Sequence, residues 1–145
     1  MSPSLDLAGL TGLDEGMAAG DRRSAVLQAY IRSPGFLIHG NATARYLALL
    51  AFLYREHPEA FEAVVQMRGR QRVYFAKSSE EIEAVSVNTF PQRIPGSPFW
   101  ALTNSNLRQK QTILTRVLFA LGYPEDVSQL VIVGLDGGIK QRVRA

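Results

Sequence analysis

Apolar residues recur at helical spacing over much of this 145-residue chain. Leu47, Leu50, Ala51 and Tyr54 follow one another at three- and four-residue steps, which predicts an amphipathic helix capped by Asn41 or Thr43 and closing at His57. Before it, Ala25, Val26, Ala29 and Tyr30 share one face of a helix running from an Asp21 cap to about Arg32, where Ser33, Pro34 and Gly35 stop it. After it, Pro58 suits a first helical position and Glu59 and Glu62 suit the positive end of the dipole, so a shorter helix to about Gln66 is expected. Ile113, Leu114, Val117, Leu118 and Leu121 mark the buried face of a helix from Leu107 to Leu121, opened by Asn106 and ended by Gly122. Pro124 opens a last helix to about Val133.

Between these helices the pattern changes. Arg72 to Ala76, rich in Val, Tyr and Phe, reads as a short strand, and Ser78 with Glu81 forms a capping box for one or two helical turns. Residues 86 to 98 contain Pro91, Pro95, Gly96 and Pro98 and read as loop, while Phe99 to Leu102 makes a second strand that pairs with the first. The expected fold is mainly helical, of the α+β class, with a small antiparallel β-hairpin. Its folded part is expected over residues 21–134, between a flexible Gly-rich tail, 1–20, and a basic C-terminal tail, 135–145.

A hydrophobic content of 46% supports a real core and one domain. The sequence has no cysteine, which removes disulfides, thiolate metal sites and cysteine nucleophiles. The first twenty residues lack a basic start followed by an apolar run, and no stretch is long and apolar enough to span a membrane, so a soluble cytoplasmic protein is expected. The net charge is only +3, but residues 66–116 hold eight basic against three acidic residues, a net of +5, and the remainder nets −2. That asymmetry suggests an anionic partner for the second half.

Two segments carry the polar chemistry. In the first, Gly69 permits a tight turn, and Arg70 and Arg72 flank Gln71, which can both donate to and accept from base edges. The same residues would serve a solvated turn. In the second, Thr103, Asn104, Ser105 and Asn106 precede a helix N-terminus and are followed by Arg108 and Lys110. Free backbone N–H groups and the two cations suit phosphate, and Asn side chains suit adenine, although a well-made helix cap needs the same residues. If the strands bring both segments to one end of the sheet, they form a bipartite site. Neither contains a histidine, a cysteine or a carboxylate cluster, so no enzyme, metal or cofactor is expected. His39 and His57 read as structural or surface residues. Tyr74, Phe75, Phe99 and Trp100 read as core in preference to base-stacking platforms.

Three blocks in order, Gly69 to Ala76, Ile94 to Trp100, and Leu102 to Asn106 with Lys110, resemble the C-terminal domain of the SeqA family, with weaker similarity extending over about residues 22–134. The resemblance implies a helical domain with a small antiparallel sheet whose two loops enter the major groove of double-stranded DNA at a hemimethylated GATC site. It further implies negative regulation of replication initiation by sequestration and association with the nucleoid. By position, the family's contacts fall on Arg70, Gln71, Arg72, Thr103, Asn104, Ser105 and Asn106, with Lys110 at a basic position suited to phosphate. Gln71 and Ser105 stand where the family typically has Thr, and Leu107, Arg108 and Gln109 replace a Thr-Gly-Arg run. The family also carries an N-terminal oligomerisation domain and linker, in whose place this chain has about twenty Gly-rich residues. The expectation is therefore a DNA reader whose self-association, through the N-terminal tail or another surface, is left open. The alternative is a protein-interaction module of the same fold with only nonspecific DNA affinity.

Overall fold

The computed structural model describes residues 19–67, 72–85 and 88–138. The chain runs through α1 (Ala19–Ile31), α2 (Pro34–Leu37), α3 (Ala42–Glu56), α4 (Phe61–Val64), β1 (Phe75–Ala76), α5 (Ser79–Val85), β2 (Pro91–Arg93), β3 (Trp100–Leu102), α6 (Leu107–Ala120) and α7 (Glu125–Leu135). It is a mostly helical fold with a small antiparallel sheet, as the sequence pattern implies. Residues assigned to the two tails lie largely outside the described part.

The helix starts follow local chemistry. Asn41 Oδ1 accepts from Ala44 N at 2.8 Å and fixes the first turn of α3. Gly122, at φ +89°, and Gly137, at φ +82°, take left-handed conformations just beyond α6 and α7. Pro34 does not merely stop α1: Ser33 becomes the cap of the one-turn α2, which buries Phe36. α7 continues to Leu135, past the expected end at Val133, because Gly134 is buried inside the helix instead of breaking it.

α3 is the central element. Tyr46, Leu49, Leu50 and Leu53 are fully inaccessible, and every residue from Ala48 to Leu53 is buried. The expected stripe does face the core, with Leu50 and Ala51 buried and Leu47 and Tyr54 half-buried against it, but the helix is enclosed nearly all round rather than along that face alone. α6 meets it with Ile113, Leu114, Val117 and Leu118, each nearly or fully buried, as its spacing predicts. Burying each such side chain stabilises the fold by about 1.5–3 kcal/mol.

The sheet has three strands in the order β1-β3-β2, both pairs antiparallel, where the sequence pattern implied a two-stranded hairpin. The missing strand, β2, begins at Pro91, and proline is tolerated there because the strand is at an edge and the residue is its first. β2 and β3 are joined through Ile94–Pro95–Gly96–Ser97: Ser97 N donates to Ile94 O at 3.1 Å, and Gly96 sits at φ +77°. Pro followed by Gly at the centre of such a turn is type II chemistry. β1 is also shorter than expected, since only Phe75 and Ala76 pair in the ladder.

Candidate nucleic-acid interface

The register decides whether the two polar segments meet. Phe75 lies opposite Ala101 and Ala76 opposite Trp100, so continuing the ladder toward Arg72 leads to Thr103 and Asn104. Tyr74 O extends the pairing by accepting from Leu102 N at 2.9 Å. On the other side of β3, Pro91 lies opposite Leu102, which places Phe90 beside Thr103. One end of the sheet thus gathers Arg72, the 103–106 loop and the start of β2. Arg70 and Gln71 lie outside the described residues.

The 103–106 loop is held from beneath by Lys110. Its Nζ donates to Thr103 O at 2.9 Å, to Ser105 O at 2.5 Å and to Ser105 Oγ at 3.1 Å, and it stands 5.9 Å from the centre of the buried Tyr46 ring. The residue is only 3% exposed. Burial pushes its pKa below the ordinary lysine value. The phosphate contact expected of this lysine is not supported by the geometry, since its ammonium faces carbonyls inside the protein. The solvent-exposed cation of the same helical turn is Arg108.

The loop's other side chains divide between holding and presenting. Asn106 caps α6 in a reciprocal pair: its Oδ1 accepts from Gln109 N at 2.8 Å, and Gln109 Oε1 accepts from Asn106 N at 3.0 Å. Thr103 is buried, and its hydroxyl donates to Phe90 O at 2.5 Å while accepting from Gln92 Nε2 at 3.4 Å. Asn104 is exposed and donates from Nδ2 to Asn88 O. One N–H of the amide is thus tied to the 88–90 segment, while the residue stays exposed to solvent. Arg72 is half-buried.

The segment 88–90, read from sequence as plain loop, is part of this framework. Thr89 O accepts from Thr103 N at 3.2 Å and from Asn104 N at 3.1 Å. Carbonyls of three successive residues therefore clasp the loop. Asn88 (φ +57°) and Phe90 (φ +45°) both occupy the left-handed region, common for Asn and rare for a bulky aromatic. A lone aromatic among polar residues just before a proline was the available signal.

Phe75 and Phe99 are core, as their strand positions imply, but Trp100 and Tyr74 are only half-buried. Each has an arginine over its ring, Arg93 at 5.6 Å from Trp100 and Arg116 at 5.8 Å from Tyr74. Away from this end, His57 Nε2 and Tyr123 Oη are 2.7 Å apart, and Arg23 lies over the Tyr123 ring at 5.2 Å while donating to Leu121 O at 2.7 Å. That cluster joins α1 and α3 to the α6–α7 turn. No described helix is long and apolar enough to cross a membrane.

The family model of the SeqA protein C-terminal domain matches residues 25–133, three-quarters of the chain. The chain belongs to the SeqA family. Relatives named negative modulator of initiation of replication include one from Idiomarina loihiensis, 45% identical over 86 residues, covering 59% of this chain and 54% of the relative. Another, from Vibrio cholerae, is 35% identical over 91 residues, covering 63% and 51%. The crystal structure of V. cholerae SeqA matches with a TM-score of 0.72 at 28% identity, over 78% of this chain and 97% of that one. The chain spans about half the length of these curated relatives.

Proposed function

We propose that this SeqA-family domain binds double-stranded DNA in the major groove at GATC sites methylated on one strand, and that this binding serves negative regulation of replication initiation by sequestration. The observation that carries the reading is exposed Asn104, its amide nitrogen bonded to Asn88 O and its backbone neighbours Thr103 and Ser105 held by Lys110, at the sheet end shared with Arg72 and Phe90. Adenine shows one N6 donor hydrogen in the major groove, and N6-methylation replaces it with a methyl. An oriented acceptor therefore suits the unmethylated strand's adenine and is left without a partner at the methylated one. Arg72 and exposed Arg108 suit backbone phosphates on either side, and Arg70 and Gln71, which precede Arg72 in sequence, are proposed to share the contact.

The alternative, a protein-interaction module with only nonspecific DNA affinity, has its own observation. Phe119 is 81% exposed beside an open groove lined by Met67, Tyr123, Pro124 and Ile132. Titrating the chain against a GATC duplex and a scrambled duplex at two salt concentrations separates the two. The proposal expects tighter binding to GATC at both concentrations. Equal binding that vanishes together as salt rises would leave the interaction module.

A further inference from the structure

Phe90 is 63% exposed, in a left-handed backbone conformation that bulky side chains rarely adopt. Nothing about its own side chain accounts for that conformation. What holds it is the framework around it: its carbonyl accepts from the Thr103 hydroxyl, the neighbouring Thr89 carbonyl takes two loop amides, and Asn88 O takes the Asn104 amide. The framework that holds the exposed Asn104 amide therefore also fixes an exposed aromatic ring at the same end of the sheet. β3 feeds the loop from the centre of the sheet, so the loop has the cationic Arg72 on its β1 side and apolar Phe90 on its β2 side.

We infer that Phe90 is a specificity-determining contact: its ring receives a methyl group projecting into the major groove. The inference rests on the proposed DNA reading and adds the apolar half of a site whose polar half is Asn104. Two methyls share this chemistry at a hemimethylated GATC site, the N6-methyl of adenine and the C5-methyl of thymine, and an apolar side chain suits either. Covering one methyl corresponds to about a fourfold gain in affinity.

The test uses the full chain, its Phe90→Ala and Phe90→Leu variants, and three duplexes. One is hemimethylated GATC, one lacks the N6-methyl, and one keeps the N6-methyl but carries uracil in place of thymine. Phe90→Ala keeps every loop hydrogen bond, because the bond to residue 90 uses its backbone carbonyl, and an unchanged thermal midpoint checks this. For the unsubstituted chain, removing the methyl that Phe90 covers should weaken binding about fourfold. Phe90→Ala should bind the hemimethylated duplex about as weakly as the unsubstituted chain binds the methyl-deleted one and should no longer sense that deletion. Phe90→Leu should retain most of the effect. Loss of sensitivity to the N6-methyl alone, or to the thymine methyl alone, identifies the source, and either supports the inference. Unchanged sensitivity of Phe90→Ala to both deletions overturns it, as does an unsubstituted chain indifferent to both. If the unsubstituted chain prefers GATC to scrambled DNA while Phe90→Ala changes nothing, the Phe90 contact alone fails. If it shows no such preference, the DNA reading itself fails.

Discussion

Lys110 Nζ donates to the carbonyl of Thr103 at 2.9 Å, so the first turn of α6 reaches back to hold the loop from which it emerges. A surface lysine on phosphate would leave that loop unsupported. Here the charge is inside and the loop backbone is closed around it. The proposed interface therefore rests on a lysine whose ammonium is bonded to the loop's own carbonyls.

This separates two cations that the sequence presents together. Lys110→Met should destabilise the fold by about 1–3 kcal/mol, because buried carbonyls lose their donor, and should reduce discrimination among DNA sequences. The salt dependence of its remaining binding should be unchanged. Arg108→Ala should leave stability within about 0.5 kcal/mol and lower the slope of log affinity against log salt by about one phosphate's worth. Urea unfolding and salt titrations of the two variants check both halves; the reverse pattern would return Lys110 to the phosphate.

Asn104→Ala should act on selectivity. The side chain is exposed but its amide donates to Asn88 O, so stability should fall by no more than about 1 kcal/mol. Removing the acceptor should shrink the preference for a singly over a doubly methylated duplex, read by competition titration. An equal loss on every duplex would show that Asn104 positions the chain without reading the base.

Asn106→Ala should affect folding and binding together. It deletes a helix cap, worth about 1 kcal/mol, and also removes half of the reciprocal pair with Gln109. A lower melting temperature with weaker binding to all duplexes is expected. Asn106→Asp, which keeps a capping oxygen, should restore the melting temperature.

The pH dependence of stability should have its own signature at His57. Burial, with Arg23 nearby, holds the ring below the ordinary histidine value of 6.5, against a smaller opposing effect of Glu56. The folded chain therefore takes up this proton less readily than the unfolded chain. Stability is full above pH 6.5 and falls as the pH drops through 6.5 toward the folded value. Comparing thermal midpoints at roughly pH 7.5 and pH 5.5 should show the loss, and His57→Gln should reduce it.

Where the helices lie was legible because their signals are local. The cap at Asn41, the cap at Asn106 and the spacing from Ile113 to Leu121 act within a few residues. What α3 packs against is not local, so a helix read as one-sided proved enclosed from Ala48 to Leu53. β2 escaped notice because three residues beginning with proline become a strand only through pairing with β3. Whether Arg72 and the 103–106 loop share one end of the sheet depends on strand register, and the ladder from Phe75 opposite Ala101 leads both toward that end. The inward turn of the Lys110 ammonium is not visible in residue spacing because it depends on the 103–106 loop folding over it. Asn88, Thr89 and Phe90 went unassigned because their contribution is made by carbonyl groups, which every residue possesses.

The most direct test of the central claim compares three duplexes identical except for zero, one or two N6-methyl groups at a single GATC site, titrated by fluorescence anisotropy. The singly methylated duplex should bind most tightly. Losing its methyl corresponds to about 0.8 kcal/mol, a fourfold weakening, whereas losing the remaining donor corresponds to about 1–3 kcal/mol, a weakening of about five- to 150-fold. The predicted order is therefore one methyl, then none, then two. Equal affinity for all three duplexes would contradict it.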